Sequence, residues 1–366
     1  MGLGKKLLLI TFLAGIAAVV YEVAIKETPT FPVVFFKDHY WGRKVVKAGE
    51  PIPKDSTEIR KFVVKIEDSV IQDLKQQLKT TRYVEPLPNS NFNYGFNGAQ
   101  LKKVVDYWTQ TYDWKKQEKE MNKYNHFKTQ IEGIDVHFIH VKPAKAAKHT
   151  FPLILVHGWP GTFVEYLKSI PLLTNVENDV AFELIIPSLP GYGFSEEPHQ
   201  QGFSAVHAAR VFHKLMTRLG HKKYYYHGGD WGAIIGRFIA TMYPENVLGY
   251  HTTFLPGLRL NLCGAVKYAL TYFIPSIFSD HPQAEMKLLK PFQEKLLFFS
   301  IRESGYMHLQ STKPDTIGAA LLNSPAGLAA YIMEKFSTWT NREYVNLEDG
   351  GLTKHFTYDE LLTNVM

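Results

Sequence analysis

The segment Tyr224-Tyr225-Tyr226-His227-Gly228-Gly229-Asp230-Trp231-Gly232 constrains this chain more than any other. Its aromatic start is β-prone. The run that follows, Ala233-Ile234-Ile235-Gly236-Arg237-Phe238-Ile239-Ala240, reads as a helix. Glycines on both sides of Asp230 let a strand turn sharply into that helix, leaving one side chain exposed at the turn. An Asp there is already ionised at pH 7 and needs no general base to attack carbon. Epoxides and alkyl halides suit such a nucleophile; peptides and ordinary esters suit it poorly. Taken alone, the segment is equally consistent with Asp230 capping the helix N-terminus.

A second segment narrows the choice. Phe151-Pro152-Leu153-Ile154-Leu155-Val156 is a continuous apolar run, as in a strand buried on both faces. It ends in His157-Gly158-Trp159-Pro160-Gly161, where glycines let a main-chain N–H point into a site. Strand–elbow–helix folds of the α/β-hydrolase kind pair an N–H from this loop with the one after the nucleophile. Here those belong to Trp159 and Trp231. This oxyanion hole would act when water attacks an ester formed on Asp230. A third loop, Pro190-Gly191-Tyr192-Gly193-Phe194-Ser195, follows the apolar run Phe182-Glu183-Leu184-Ile185-Ile186-Pro187. Its lone Gly-x-Gly lacks the rest of a dinucleotide fingerprint, and no cofactor is expected. Gln130 to His140 reads as a hairpin. His137 and His140 are three apart, face opposite ways on a strand and make a poor metal pair. With no Cys/His cluster and no HExxH, no metal is expected.

These three loops, in this order and spacing, resemble the microsomal epoxide hydrolases, a group that includes the insect juvenile hormone epoxide hydrolases. Glu85-Pro86-Leu87-Pro88, Tyr112-Asp113-Trp114-Lys115-Lys116-Gln117-Glu118, Arg302-Glu303-Ser304-Gly305-Tyr306 and Ser337-Thr338-Trp339-Thr340 extend the resemblance over nearly the whole chain. It implies an α/β-hydrolase fold with an N-terminal extension and a helical lid. Residues 1–25 would be a membrane anchor and 45–150 the extension with the first core hairpin. Residues 151–255 would form the core with its elbow, 256–355 the lid, and 356–366 the start of the return to the core. The implied activity opens lipophilic epoxides to diols through an ester on Asp230. Tyr306, matched through Arg302-Glu303-Ser304-Gly305, would donate a proton to the epoxide oxygen.

One departure matters as much as the match. Releasing the ester takes a histidine base and its acid partner, which follow the nucleophile beyond further core strands. Only 15 residues follow Gly351, ending at Met366, whereas two strand–helix units need roughly 60. The expectation is a C-terminally truncated member, lacking the last core strands, the base and its partner, with slow turnover and an exposed sheet edge. His251, His281, His308 and His355 follow Asp230 but read as surface or packing residues. A haloalkane dehalogenase, with the Trp231 indole cradling halide, and a non-catalytic, membrane-tethered binder of lipophilic ligands are the alternatives.

The formal charge of +6 does not point to nucleic acid, because the basic residues are scattered. The densest group, Lys115, Lys116, Lys119 and Lys123, alternates with Glu118 and Glu120 as on a solvated helix face. Leu7 to Val20 is apolar apart from Thr11, and extending it to Ile25 gives nineteen residues, near the ~20 that span a bilayer. A cleaved signal peptide has the same outline. A single cysteine, Cys263, and no Asn-x-Ser/Thr sequence favour an uncleaved anchor facing the cytosol. The resemblance implies the endoplasmic reticulum (microsomal) membrane. Lys5-Lys6 is balanced by Lys26, Lys37, Arg43 and Lys44, so the positive-inside rule leaves orientation open.

Overall fold

A computed structural model describes residues 37, 39–47, 49–254, 287, 291, 294 and 298–366. The expected anchor, the first part of the expected lid, Cys263 and His281 lie outside the described residues. The chain divides into two compact units, Met1–Pro32 with Pro256–Gly318, and Val33–Leu255 with Ala319–Met366. Among the described residues, no single helix is long and apolar enough to cross a membrane.

The larger unit is built on a seven-stranded sheet. Its strands are β1 (Arg60–Phe62), β2 (His126–Ile131), β3 (Ile134–Val141), β4 (His149–Val156), β5 (Val180–Pro187), β6 (Tyr224–Gly228) and β7 (Val247–Thr252). They lie in the order β1-β2-β3-β5-β4-β6-β7. The first three pairings, β1 with β2, β2 with β3 and β3 with β5, are antiparallel. From β5 through β4 and β6 to β7 the strands run parallel. This is the α/β-hydrolase fold. The apolar run at 151–156 is the middle of the parallel block: Ile154 and Val156 are fully buried and Leu155 nearly so. From β4 the chain goes to β5 on one side and then to β6 on the other. That reversal opens a crevice beyond the C-terminal end of β4, where open α/β sheets place their ligands. Among the described residues, β7 is the sheet edge, and its Leu248 is 44% exposed.

Helices cover the sheet: α1 (Asp68–Lys79), α2 (Gly98–Gln110), α3 (Trp114–Met121), α4 (Ile170–Thr174), α5 (Ala205–Arg218) and α6 (Trp231–Met242). Later come α7 (Phe299–Glu303), α8 (Gly305–Thr312), α9 (Pro314–Leu322), α10 (Pro325–Thr338) and α11 (Tyr358–Val365). α3 carries the lysine-rich segment, and one expectation there is corrected. Glu118 is buried, not solvated, because it accepts hydrogen bonds from the Trp114 indole at 2.6 Å and the Ile66 N–H at 2.7 Å. α11 begins with a capping box in which Thr357 and Glu360 satisfy each other's backbone. It then clasps the N-terminal extension. Tyr107 donates to Asp359 at 2.8 Å, Gln100 to Tyr358 at 2.7 Å, and Tyr112 pairs with Thr363 at 2.9 Å.

β2 and β3 form the expected hairpin, turning on Glu132 and Gly133 with φ of +52° and +86°, the left-handed pair favoured in two-residue hairpin loops. The Glu132 side chain points inward and is fully enclosed. Arg210 on α5 donates from Nε and Nη2, each at 2.6 Å, while Lys214 lies 2.9 Å away and the Trp41 indole donates at 2.9 Å. Burial alone would raise the Glu132 carboxyl, but the two cations outweigh it and hold it below its ordinary value. One carboxylate thus ties the N-terminal segment, the hairpin and α5 together. Replacing Glu132 by Gln strands Arg210 as a buried charge and is expected to cost about 3–5 kcal/mol in urea unfolding. An apolar Glu132→Leu/Arg210→Met pair should recover much of that loss; equal stability of wild type and Glu132→Gln would refute the assignment.

Candidate active site

The turn after β6 is a strained elbow. Asp230 sits at φ +49°, ψ −122°, a conformation costing a non-glycine residue about 1–3 kcal/mol. Packing holds it there. A Cβ on Gly232 would come within 2.0 Å of the Val156 carbonyl, and one on Gly158 within 2.4 Å of the Asp230 Cβ. Only glycine at those positions lets α6 and the 157–161 loop close on the elbow. The Tyr226 and Tyr250 hydroxyls donate to the Gly232 and Ala233 carbonyls, both at 2.6 Å, and fix the first turn of α6.

Asp230 occupies the N-cap position of α6, but its side chain makes no capping bond to the helix. Its Oδ1 accepts the Trp159 N–H at 2.9 Å, and the Trp231 N–H, next along the chain, also favours the ionised carboxylate. Both N–H groups singled out in the sequence thus act on the Asp230 carboxyl, that of Trp159 through a direct bond to Oδ1. Burial raises the Asp230 carboxyl above its ordinary value, only partly offset by these bonds.

The loop carrying Trp159 is held from several sides. His157 is fully buried; its Nε2 accepts the Leu189 N–H at 3.1 Å, which leaves the proton on Nδ1, facing the Gly158 carbonyl at 3.1 Å. Burial pushes its pKa down to about 4, so the ring is neutral and structural. From α11, Asn364 donates to the Pro160 carbonyl at 2.7 Å and accepts from the Thr162 hydroxyl at 3.2 Å. It brackets Gly161. The Trp159 ring meets Tyr331 and Trp339 edge-on, with centroids 6.0 and 5.8 Å away. The Tyr331 hydroxyl is buried without a hydrogen-bond partner.

Two more groups feel Asp230. Burial and the Asp230 charge push Tyr192 up to about 12. Solvent reaches much of Glu165, but its carboxyl packs where a Cβ on Gly161 would come within 2.3 Å of Oε2. That enclosure, with the Asp230 charge, pushes it up to about 7. Of these residues only Tyr192 lies in a motif legible in the sequence; Glu165, Tyr331 and Asn364 carry no local signal.

Tyr306 lies half-buried on α8, in the smaller unit, while Asp230 belongs to the larger. Its role rests on its motif. None of the described histidines hydrogen-bonds to Asp230. His251 pairs Nδ1 to Nδ1 with His227 at 2.7 Å, His355 bonds the Tyr344 hydroxyl at 2.8 Å, and His308 is exposed on α8. Metal-type side chains meet elsewhere, at His140, Glu183 and His221. Asn364→Ala is expected to loosen the Trp159 N–H and slow covalent attack by Asp230 about tenfold, the effect of ~1.4 kcal/mol. Stopped-flow measurement under single-turnover conditions checks this; an unchanged rate would show that Asn364 does not position the loop.

Comparison with known proteins places this geometry. Residues 59–166 match the family description "Epoxide hydrolase N terminus" and residues 152–253 "alpha/beta hydrolase fold". The chain is 48% identical to "Epoxide hydrolase 1" of Sus scrofa, over 90% of this chain and 72% of that protein. It is 43% identical to "Juvenile hormone epoxide hydrolase 1" of Ctenocephalides felis, over 100% of this chain and 76% of that one. The crystal structure of juvenile hormone epoxide hydrolase from the silkworm Bombyx mori superposes with a TM-score of 0.82 at 40% identity, covering 90% of this chain and 76% of that one. Strained elbow, glycine-lined loop and sequence identity across both matched regions agree: this chain is an epoxide hydrolase and belongs to the microsomal epoxide hydrolase family.

Proposed function

We propose that the chain opens lipophilic epoxides through a covalent ester on Asp230. The observation that carries this reading is the Asp230 carboxylate itself, strained at the elbow and held by the Trp159 and Trp231 N–H groups. Oδ2 attacks an epoxide carbon, the ring C–O bond breaks, and its electron pair goes to the ring oxygen. That oxygen takes the phenolic proton of Tyr306. The ester carbonyl oxygen is then Oδ1, which already accepts the Trp159 N–H. When water adds to that carbonyl, the Trp159 and Trp231 N–H groups receive the oxyanion; collapse releases the diol, one water proton going to the departing oxygen and the other restoring the Tyr306 phenol.

Support for a lipophilic substrate comes from the aromatic wall at Trp159, Tyr331 and Trp339. Several relatives are named juvenile hormone epoxide hydrolases, which supports a terpenoid epoxide among the substrates. Residues 1–25 would tether the enzyme to the endoplasmic reticulum membrane, a reading supported by the apolar run at 7–20.

Single-turnover consumption of styrene oxide tests the mechanism. Asp230→Asn should abolish it, and Tyr306→Phe should slow it by about 10²–10⁴-fold. Attack requires the ionised carboxylate, whose folded pKa is raised above 3.8. The wild-type rate should therefore be full at neutral pH and fall, as pH drops, at a higher value than for an ordinary Asp. Undiminished consumption by Asp230→Asn would overturn the proposal.

A further inference from the structure

Three ligating side chains that the reaction does not use meet toward the N-terminal ends of the parallel strands. Asp230, by contrast, follows the C-terminal end of β6. His140 comes from β3, Glu183 from β5, and His221 from the turn between α5 and β6. One donor atom from each lies within 4.8 Å of the other two. His140 Nε2 is 2.6 Å from Glu183 Oε1, and His221 Nε2 is 3.6 Å from the same oxygen. The imidazoles stand nearly perpendicular, at 87°, with centroids 6.5 Å apart. All three side chains are largely enclosed, 15–17% exposed.

The unusual atom is His221 Nε2. It is buried and has no hydrogen-bond partner, although it faces a carboxylate. A buried polar nitrogen without a partner calls for an explanation. An ion shared with Glu183 and His140 supplies one. The supports are rigid: Gly220, at φ +89°, lets the chain leave α5, and the His221 N–H returns to the Met216 carbonyl at 2.9 Å. His140 and Glu183 sit on hydrogen-bonded neighbouring strands. Two imidazole nitrogens and one carboxylate oxygen make a zinc-type donor set, and a fourth position stays open. Lys142 Nζ, 3.7 Å from Glu183 Oε1, competes for that carboxylate, but its side chain is 72% exposed and can swing into water.

We propose that His140, Glu183 and His221 bind one divalent transition-metal ion of the zinc class, with water in the open position. The site clips β3 and β5 to the α5–β6 turn, so its expected role is to stabilise the fold and not to take part in the reaction.

The test uses the untagged full chain, stripped of metal, with Zn²⁺ competed against a chromophoric chelator and Co²⁺ read by its visible spectrum. The expected result is one equivalent of Zn²⁺, a tetrahedral Co²⁺ band and a higher melting temperature with metal. His140→Ala and His221→Ala should each weaken binding at least about tenfold, and Lys142→Ala should tighten it. Asp230→Asn should leave it unchanged. Because an alanine variant could lose its fold, circular dichroism of each accompanies the titration, and His221→Gln, which keeps a polar group, should also lose the ion. No stoichiometric binding, or equal binding by wild type and a folded His221→Ala or His221→Gln, would overturn the proposal and leave a His140–Glu183 ion pair beside Lys142.

Discussion

The site depends on how closely two backbone segments approach. The elbow at 228–232 and the loop at 157–161 meet where a single added methyl group would collide, at Gly158 against Asp230 and at Gly232 against Val156. That contact points the Trp159 N–H at the Asp230 carboxylate. Glycine alone permits it, and the strain at Asp230 is sustained by the packing of β4, β6 and α6 around it. A serine at the same turn would need a histidine to become nucleophilic; a carboxylate needs only to stay ionised. The geometry therefore sets the first chemical step apart from the second.

The rest of the larger unit braces this contact. Glu132 fixes the hairpin to α5 and so sets the flank of the sheet on which β5 and β4 are laid. From the other end of the sequence, α11 binds the N-terminal extension through Asp359, Tyr358 and Thr363 while Asn364 reaches the 157–161 loop. The extension and the site loop thus share one helix, and loosening either should be felt by the other.

The elbow, the glycine-bracketed turn at 157–161 and the parallel strands were legible in the sequence because their signals are local. Glycines bracket one Asp, and unbroken apolar runs mark strands covered on both faces. The helix expected from Tyr358 onward is there, but its clasp on the extension was not legible, since its partners lie some 250 residues away. Glu118 looked solvated because sequence spacing shows helix neighbours and not the Ile66 N–H that drops onto it. The same limit hid the His140 cluster. Spacing rightly separates His140 from His137, which is buried and bonded to Ser188, but gives no hint of Glu183 or His221. The three-residue β1 is too short for any period to register.

The central claim is that Asp230 itself becomes esterified. Intact-protein mass spectrometry with peptide mapping, after incubation with a lipophilic epoxide such as styrene oxide, tests it most directly. The account predicts a one-to-one adduct on the peptide containing Asp230, at the mass of the intact epoxide, and none on Asp230→Asn. Diol produced with no trapped adduct on any timescale, or an adduct on another residue that survives Asp230→Asn, would contradict it.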